Sequence, residues 1–406
     1  MMNTDVLILG GGLVGLTTAI ALDRHGISSI VVDPAEPQTQ LSANFDGRVS
    51  AIASAPWAMF GALGLTDAMR PEACPIRRIE VRDGLQKDCL DFTPKPHDAG
   101  DLSFVGMMLE NRVLRQVLHG AVDTTPHLTF KPLTRATNVT RDEAGVRATL
   151  SDGTQIKARL LIGAEGRQSP TRDEAGIRSA RWRYRHDAIV TAVHHSLPHH
   201  NIAHEIFYPE GPFALLPMLP GTRSAVVWSV NPKETAALLA LSDRAFAAEL
   251  EKLAGGLVGS ISMAAPRASY PLAFNHAARI IDTRLALVGD SAHGIHPIAG
   301  QGVNLGFRDV AALVEILVEG ARLGLDFGDA QLLARYQRWR SMDNLMTAGM
   351  GDTLVRVYGV PGPVARGVRR FGMRAINRAG PLKTLMMAEA RGESGNLPKL
   401  LRGELV

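Results

Sequence analysis

Cysteine is nearly missing from this chain: Cys74 and Cys89 are its two thiols in 406 residues. Two thiols exclude a disulfide framework and a four-cysteine metal site, and they fit a reducing compartment. No run of about eighteen or more uncharged apolar residues occurs, so no stretch reads as a membrane-spanning helix. No basic segment precedes an apolar one at the start, and Asp5–Val6–Leu7–Ile8–Leu9–Gly10 reads as a strand rather than a signal peptide. Zinc-finger spacing, RNA-binding aromatic motifs and a heptad basic region are also missing, which argues against nucleic acid as a partner.

What is present is the composition of a folded soluble protein, with 46% hydrophobic and 21% charged residues. The length allows two or three domains. The formal charge of +4 is unevenly placed. From Arg335 to Val406 there are 13 Lys/Arg against 5 Asp/Glu, a local +8, so the rest of the chain carries −4 and the basic character belongs to the tail.

Residues 4–33 are patterned as a βαβ unit. An apolar strand, Val6–Leu9, runs into Gly10–Gly11–Gly12–Leu13–Val14–Gly15; a helix follows to Gly26, and Ile30–Asp33 is a second buried strand. Gly10 permits the tight turn, Gly12 lets a pyrophosphate approach the backbone, and Gly15 lets the helix pack on the strand, with Leu13 and Val14 opening the helix beside the phosphates. Asp33, at the end of the second strand, is placed to accept hydrogen bonds from a ribose. The unit predicts a dinucleotide site and leaves NAD and FAD both open.

A second glycine-rich turn, Gly300–Gln301–Gly302–Val303–Asn304–Leu305–Gly306, opens another long helix shortly after the strand Leu285–Val288. A helix N-terminus is aimed there at something electron-rich. An NAD enzyme has no use for it, whereas a flavin dinucleotide has two ends to hold.

Leu287–Val288–Gly289–Asp290–Ser291–Ala292–His293, followed by His296–Pro297 through Asp309, resembles the second FAD fingerprint of the single-component aromatic hydroxylases, most closely the branch acting in ubiquinone biosynthesis. The resemblance implies that Asp290 holds the ribityl chain and that Pro297 flanks the isoalloxazine. It also implies that backbone amides of Gly300, Gln301, Gly302, Val303 and Asn304 face the flavin N1/O2 edge, where reduced flavin is anionic. Leu160–Arg172 resembles the family's central motif, with Glu165 one methylene longer than the usual aspartate. Asp46–Ile52 resembles the segment whose arginine, here Arg48, meets the FAD pyrophosphate. Glu110–Leu114 resembles the start of the helix whose first polar residue, here Asn111, reaches the cofactor or simply caps the helix.

The resemblance extends over almost the whole chain. It implies an α/β architecture with an FAD-binding, Rossmann-like domain of the glutathione-reductase type, like that of p-hydroxybenzoate hydroxylase, and a second α+β substrate domain built on an antiparallel sheet. The FAD domain is expected over 1–77, 105–180 and 276–335, the substrate domain over 78–104 and 181–275, and a helical basic tail over 336–406. Strands Ala188–Val193 and Arg223–Val230, joined by the stretch around Ile79–Asp91, are expected in the substrate sheet. No second βαβ glycine turn serves NAD(P)H, which fits a family whose nicotinamide binds transiently and leaves.

The implied chemistry is ring hydroxylation of a prenylated phenol with O2 through a flavin C4a-hydroperoxide, with no obligatory side-chain nucleophile. Hydroxylation of a soluble aromatic acid needs a cation in the middle domain, for which Arg183, Arg185 and Arg223 are candidates. Reduction of isoprenoid double bonds and a flavin-bound scaffold role in a quinone-biosynthesis complex are the other readings. His194, His195, His199, His200, His293 and His296 lack metal-ligand spacing and read as structural. Around Val364–Arg378, apolar residues recur among arginines. That pattern predicts a basic amphipathic helix facing a membrane surface, a protein complex or its own domain. The expected localisation is cytoplasmic, with peripheral contact at the inner membrane face as the membrane alternative.

Overall fold

Val6–Leu9, Ser29–Val32 and Leu160–Gly163 are continuous apolar runs without polar alternation, the pattern of strands covered on both faces. In the computed structural model they are neighbouring parallel strands, buried throughout. The model describes residues 1–41, 48–86, 89–94, 104–294, 301–341, 362, 367, 369, 372, 375–377 and 379–406. The sheet has six strands in the order Ile281–Asp282, Leu285–Leu287, Leu160–Gly163, Val6–Leu9, Ser29–Val32, Leu128–Lys131. All are parallel except the outer Ile281–Asp282. Successive connections leave Val6–Leu9 on opposite sides, so the crevice at its carboxyl end is the switch point where such sheets take ligands.

The second large sheet has nine strands and is mainly antiparallel. Its spine is the 17-residue strand Ser179–His195, which pairs with Arg223–Val230 on one side and with Ala268–Ala277 on the other. Gly211–Met218 and Ile202–Tyr208 follow, and Arg78–Asp83, from far earlier in the chain, pairs parallel with Ile202–Tyr208. The stretch around Ile79–Asp91 therefore lies in this sheet. One face packs on the helix Asp243–Ala254 through Ile189, Val193, Phe213, Val226 and Phe246. The opposite face, through Ala203 and Leu216, packs on a three-stranded sheet of Val49–Ala53, Gly106–Glu110 and Cys74–Ile76.

The C-terminal segment returns to the parallel-sheet half. Leu400 and Leu401 are buried, the Lys399 N–H donates to Glu315 (2.6 Å), and Arg322 donates to the Val406 carbonyl (2.7 Å). Three tail arginines are buried in internal ion pairs: Arg340 on Asp309 (2.7 Å), Arg369 on Asp83 (3.3 Å) and Arg391 on Glu393 (2.9 Å). The basic stretch 364–378 lies largely outside the described residues, and Arg369 within it faces its own protein. No helix among the described residues is long and apolar enough to cross a membrane.

His195 and His199 are held by backbone carbonyls, at 2.7 Å from Leu197 and 2.8 Å from Met218. Burial pushes both imidazoles down. Among the described residues no three His, Cys, Asp or Glu lie close enough together to hold a metal.

The tightest constraint in the parallel-sheet half is at Gly15, where a Cβ would stand 1.9 Å from the Gly10 carbonyl oxygen. Backbone cannot swing aside as a side chain can. Gly15→Ala is expected to cost about 3 kcal/mol, the upper part of the overpacking range, read as a lowered urea midpoint at unchanged m-value.

Candidate active site

The first glycine turn joins Val6–Leu9 to the helix Leu13–Asp23. Gly10 has φ +105°, and a Cβ there would stand 2.3 Å from the Ala164 carbonyl oxygen. Gly12 differs: its φ of −73° suits any residue, and a Cβ would meet no described atom within 4 Å. The helix that Gly12 opens has no side-chain cap and no acid in its first turn, so no side chain of its own cap or first turn answers the positive end of its dipole. Asp33 sits beside the turn, accepting from the Gly11 N–H (2.5 Å) and the Ala35 N–H (2.7 Å).

The second turn reaches the first through Val14. A Cβ on Gly289 would stand 3.1 Å from Val14 Cγ2, and one on Gly306 would stand 2.7 Å from the same atom. Two glycines nearly three hundred residues after the first turn thus let the helices Leu13–Asp23 and Gln301–Arg322 meet around one valine side chain. Val14 is consequently a packing residue as well as part of the turn.

Asp309, fully buried on the helix Gln301–Arg322, organises the loop between them. Its Oδ2 accepts from the Gly289 N–H (2.9 Å) and from His293 Nε2 (2.6 Å), and its Oδ1 accepts from Arg340 Nε (2.7 Å). Burial alone would raise the carboxyl pKa, but the His293 and Arg340 charges and hydrogen bonds outweigh it and hold the group below its ordinary value. Tyr336 closes the cluster, donating to the Leu287 carbonyl (2.8 Å), with its own ionisation pushed well up by burial.

Asp290 is left partly open beside this clamp and pairs with Arg167 (3.1 Å), both side chains about 40% exposed (39% and 41%). The central motif is tied to the same loop: the Gly166 N–H donates to Ser291 Oγ (3.0 Å), and the buried Arg172 donates to the Ser291 carbonyl (3.1 Å). Glu165 accepts from Ser169 Oγ (2.7 Å) and from the Thr171 N–H (3.2 Å), so its extra methylene serves the short helix Pro170–Glu174.

Gln301, Gly302, Val303 and Asn304 form the first turn of the helix Gln301–Arg322, and a Cβ on Gly302 would meet no described atom within 4 Å. Pro297 and Gly300 lie outside the described residues. Asn304 fastens the helix to the three-stranded sheet, accepting from the Ala53 N–H (3.0 Å) and donating to the Ala51 carbonyl (2.8 Å). Asn111 begins the helix Asn111–Val122 without capping it; its Oδ1 accepts from Ser50 Oγ (2.5 Å). Arg48 is exposed one strand-end away, and Tyr270, its phenol pushed up by burial, feels the charges of both Arg167 and Arg48.

Opposite these turns stands the second sheet. On its face toward Val49–Ala53, side chains alternate inward from Ala203, Glu205 and Phe207, from Pro212, Ala214 and Leu216, and from Ala225 and Val227. Glu205, Leu216 and Val227 are only half-buried there, as are Val49 and Ala51 across from them, which marks an internal space between the sheets.

A model of the FAD binding domain matches residues 3–344 of this chain. The chain belongs to that family. The ubiquinone hydroxylase UbiL of Rhodospirillum rubrum is 45% identical over 98% of this chain and 92% of its own length. The 3-demethoxyubiquinol 3-hydroxylase of Escherichia coli is 34% identical over 96% of this chain and 98% of its own. The crystal structure of p-nitrophenol 4-monooxygenase PnpA from Pseudomonas putida superposes with a TM-score of 0.79 at 17% identity, covering 98% of this chain and all of that one (100%), a likeness of fold. The fold is thus the p-hydroxybenzoate-hydroxylase-like α/β one, and the protein is an FAD-dependent aromatic hydroxylase, with NAD(P)H as the reductant typical of its family.

The residues present fit FAD: open space over Gly12 and Gly302, an uncapped helix start, an acid beside the turn and an exposed arginine nearby. Sequence reasoning missed the clamp formed by Asp309, His293 and Arg340. Its signal was an acid inside a long apolar helix, at a position that only burial with partners explains.

Two outcomes separate packing from cofactor contact. Gly12→Ala is expected to leave the apoprotein's unfolding midpoint unchanged while weakening FAD retention, measured by flavin absorbance after gel filtration. Asp309→Asn places an amide donor against the Gly289, His293 and Arg340 donors and is expected to cost about 3–5 kcal/mol. Because the folded carboxyl is depressed, this stability is present at neutral pH and is lost only as pH falls below the ordinary value of 3.8. The gap between wild type and variant in chemical denaturation therefore narrows only in acid.

Proposed function

We propose that this protein hydroxylates the aromatic ring of a neutral, polyprenylated phenol in ubiquinone biosynthesis. The observation that carries the reading is the charge inventory of the sheet face over the internal space. Of the inward side chains on its three central strands, Ile202–Tyr208, Gly211–Met218 and Arg223–Val230, the charged ones are Glu205 and Arg223. Arg223 is bound to Glu110 (3.1 Å). Arg183 is exposed and pairs with Asp187 (3.0 Å), and Arg185 is exposed. An aromatic acid would bring its carboxylate to a face that offers a carboxylate in return, whereas a neutral phenol meets apolar walls and a hydrogen-bond acceptor.

The apolar lining continues from Phe207 to Leu90, Phe92, Met386 and Met387, which suits a long hydrocarbon tail. Leu382 and Leu385 expose apolar surface on the same helix, Gly380–Ala390, so the tail has an apolar way out. A prenylated phenol resides in lipid, so the protein would meet it at a membrane surface. The names of the two relatives, a ubiquinone hydroxylase and a 3-demethoxyubiquinol 3-hydroxylase, agree with this substrate class.

Gly10, Gly12, Leu13, Val14 and Gly15 would hold the FAD phosphates on the first helix, with Asp33 on the ribose and Arg48 as counter-charge. Asp290 would hold the ribityl chain, and the helix start from Gly300 to Asn304, together with Pro297, the ring. When bound, FAD supplies the reduction of O2 and the transfer of an oxygen atom. The protein's own part is to position the phenol, exclude water from the space between the sheets, and place N–H dipoles where negative charge gathers.

The test is oxygen uptake with NADPH by the purified holoprotein, with product analysis, on a short-chain prenylphenol and on a soluble hydroxybenzoate. Hydroxylated prenylphenol with little turnover of the benzoate is expected. The reverse preference overturns the substrate class.

A further inference from the structure

Glu205 is the one carboxylate on the inward face of those three strands, and no described residue pairs with it. Its in-register neighbours are Ala214 on one side and Val81 on the other, and Ala203 and Phe207 flank it along its own strand. Ala203 packs on Cys74, Ile76, Val105 and Met108, and Phe207 packs on Leu90 and Phe92, so apolar clusters close both ends. The residue as a whole is nevertheless only half-buried, like Leu216 and Val227 on the same face. Across from that face stand Val49 and Ala51, and Asn304, at the start of the second glycine-turn helix, holds that strand through Ala51 and Ala53. A carboxylate with no partner among the described residues, set between apolar clusters, is costly to keep for packing alone.

We propose that Glu205 accepts the hydrogen bond of the substrate's phenolic hydroxyl and takes its proton during ring hydroxylation. This rests on the phenol reading above and assigns it a catalytic residue. In the step, the phenol O–H bond breaks, an O–H bond forms on Glu205, and the electron pair stays on the phenol oxygen. That pair raises electron density at the ortho and para carbons, which is what an electrophilic oxygen needs. A ring carbon then gains the oxygen as the O–O bond of the reduced oxygen breaks; the C–H proton shed as aromaticity returns goes to the oxygen left by that cleavage, and Glu205 gives its proton back to the phenol oxygen and ends unchanged.

Desolvation pushes the Glu205 carboxyl up to about 7, so its proton-accepting form grows in through neutral pH. Several described titratable or charged groups of the neighbouring elements are engaged or remote. Asp83 pairs with Arg369, and Arg223 with Glu110. Burial lifts the Cys74 thiol to about 11 and raises the Tyr270 phenol. Glu389, on the helix Gly380–Ala390, lies by Arg308 and Ser394. His194 is at the exposed end of Ser179–His195, beyond two intervening strands.

The test uses holoprotein and the prenylphenol, with Glu205→Gln keeping size and hydrogen bonding and Glu205→Leu keeping approximate size and removing the hydrogen bonding. Flavin content, NADPH oxidation and hydroxylated product are measured separately across neutral pH. Expected is full flavin content in both variants and continued NADPH oxidation, with product formation falling about 100-fold and oxygen appearing as peroxide. Product formation is expected to rise through neutral pH in wild type and to lose that rise in Glu205→Gln. The phenol's methyl ether, which has no proton to give, is expected to bind wild type and Glu205→Gln alike. If wild type makes product and Glu205→Gln makes it at the same rate with the same pH profile, the assignment is wrong while the substrate class stands. If wild type does not hydroxylate the prenylphenol at all, the substrate class itself falls, and the assignment with it.

Discussion

A single buried carboxylate, Asp309, decides whether the second glycine turn has a defined place. Its two oxygens gather a backbone N–H at Gly289, the ring of His293 and the guanidinium of Arg340, groups that come from before and after the helix Gln301–Arg322. Without it the buried Gly289 N–H and His293 Nε2 would lose this acceptor, and Arg340 its buried counter-charge. Removing the acid would thus release the loop that carries Asp290, and with it the tie to the central motif at Gly166 and Arg172.

Absent side chains do the complementary work. Gly15 lies against the Gly10 carbonyl, and Gly289 and Gly306 lie against Val14, so the two turns are one packed unit despite their separation in sequence. Glycine at these places serves protein–protein contact, whereas glycine at 12 and 302 serves open space. The same residue type therefore carries two physical meanings within one motif, and only the surroundings distinguish them.

That distinction explains what the sequence could tell and what it could not. The βαβ unit, the order of the cofactor motifs and the strands Ala188–Val193 and Arg223–Val230 were legible because each rests on local period and turn chemistry. The Asp309 clamp was not, since its partners stand 16 and 31 residues away. Nor was the fate of the tail: its arginines count as surface charge in composition, yet Arg340, Arg369 and Arg391 are buried in ion pairs with acids. Asn111 read equally as a cap or a cofactor contact; the fold gives it a partner, Ser50, from a strand 61 positions earlier.

Asp309 and Glu205 show the difference between a structural and a reactive carboxylate in one molecule. Desolvation penalises the charged form of both. Asp309 is surrounded by donors and held below its ordinary pKa, which makes it an inert anion that fixes geometry. Glu205 meets alanine, valine and phenylalanine instead, and is raised to about 7, where gaining or losing a proton costs little. A fold has no use for such a group as mortar. Its position on the sheet face toward Val49–Ala53 suits the proton acceptor proposed for a neutral phenol.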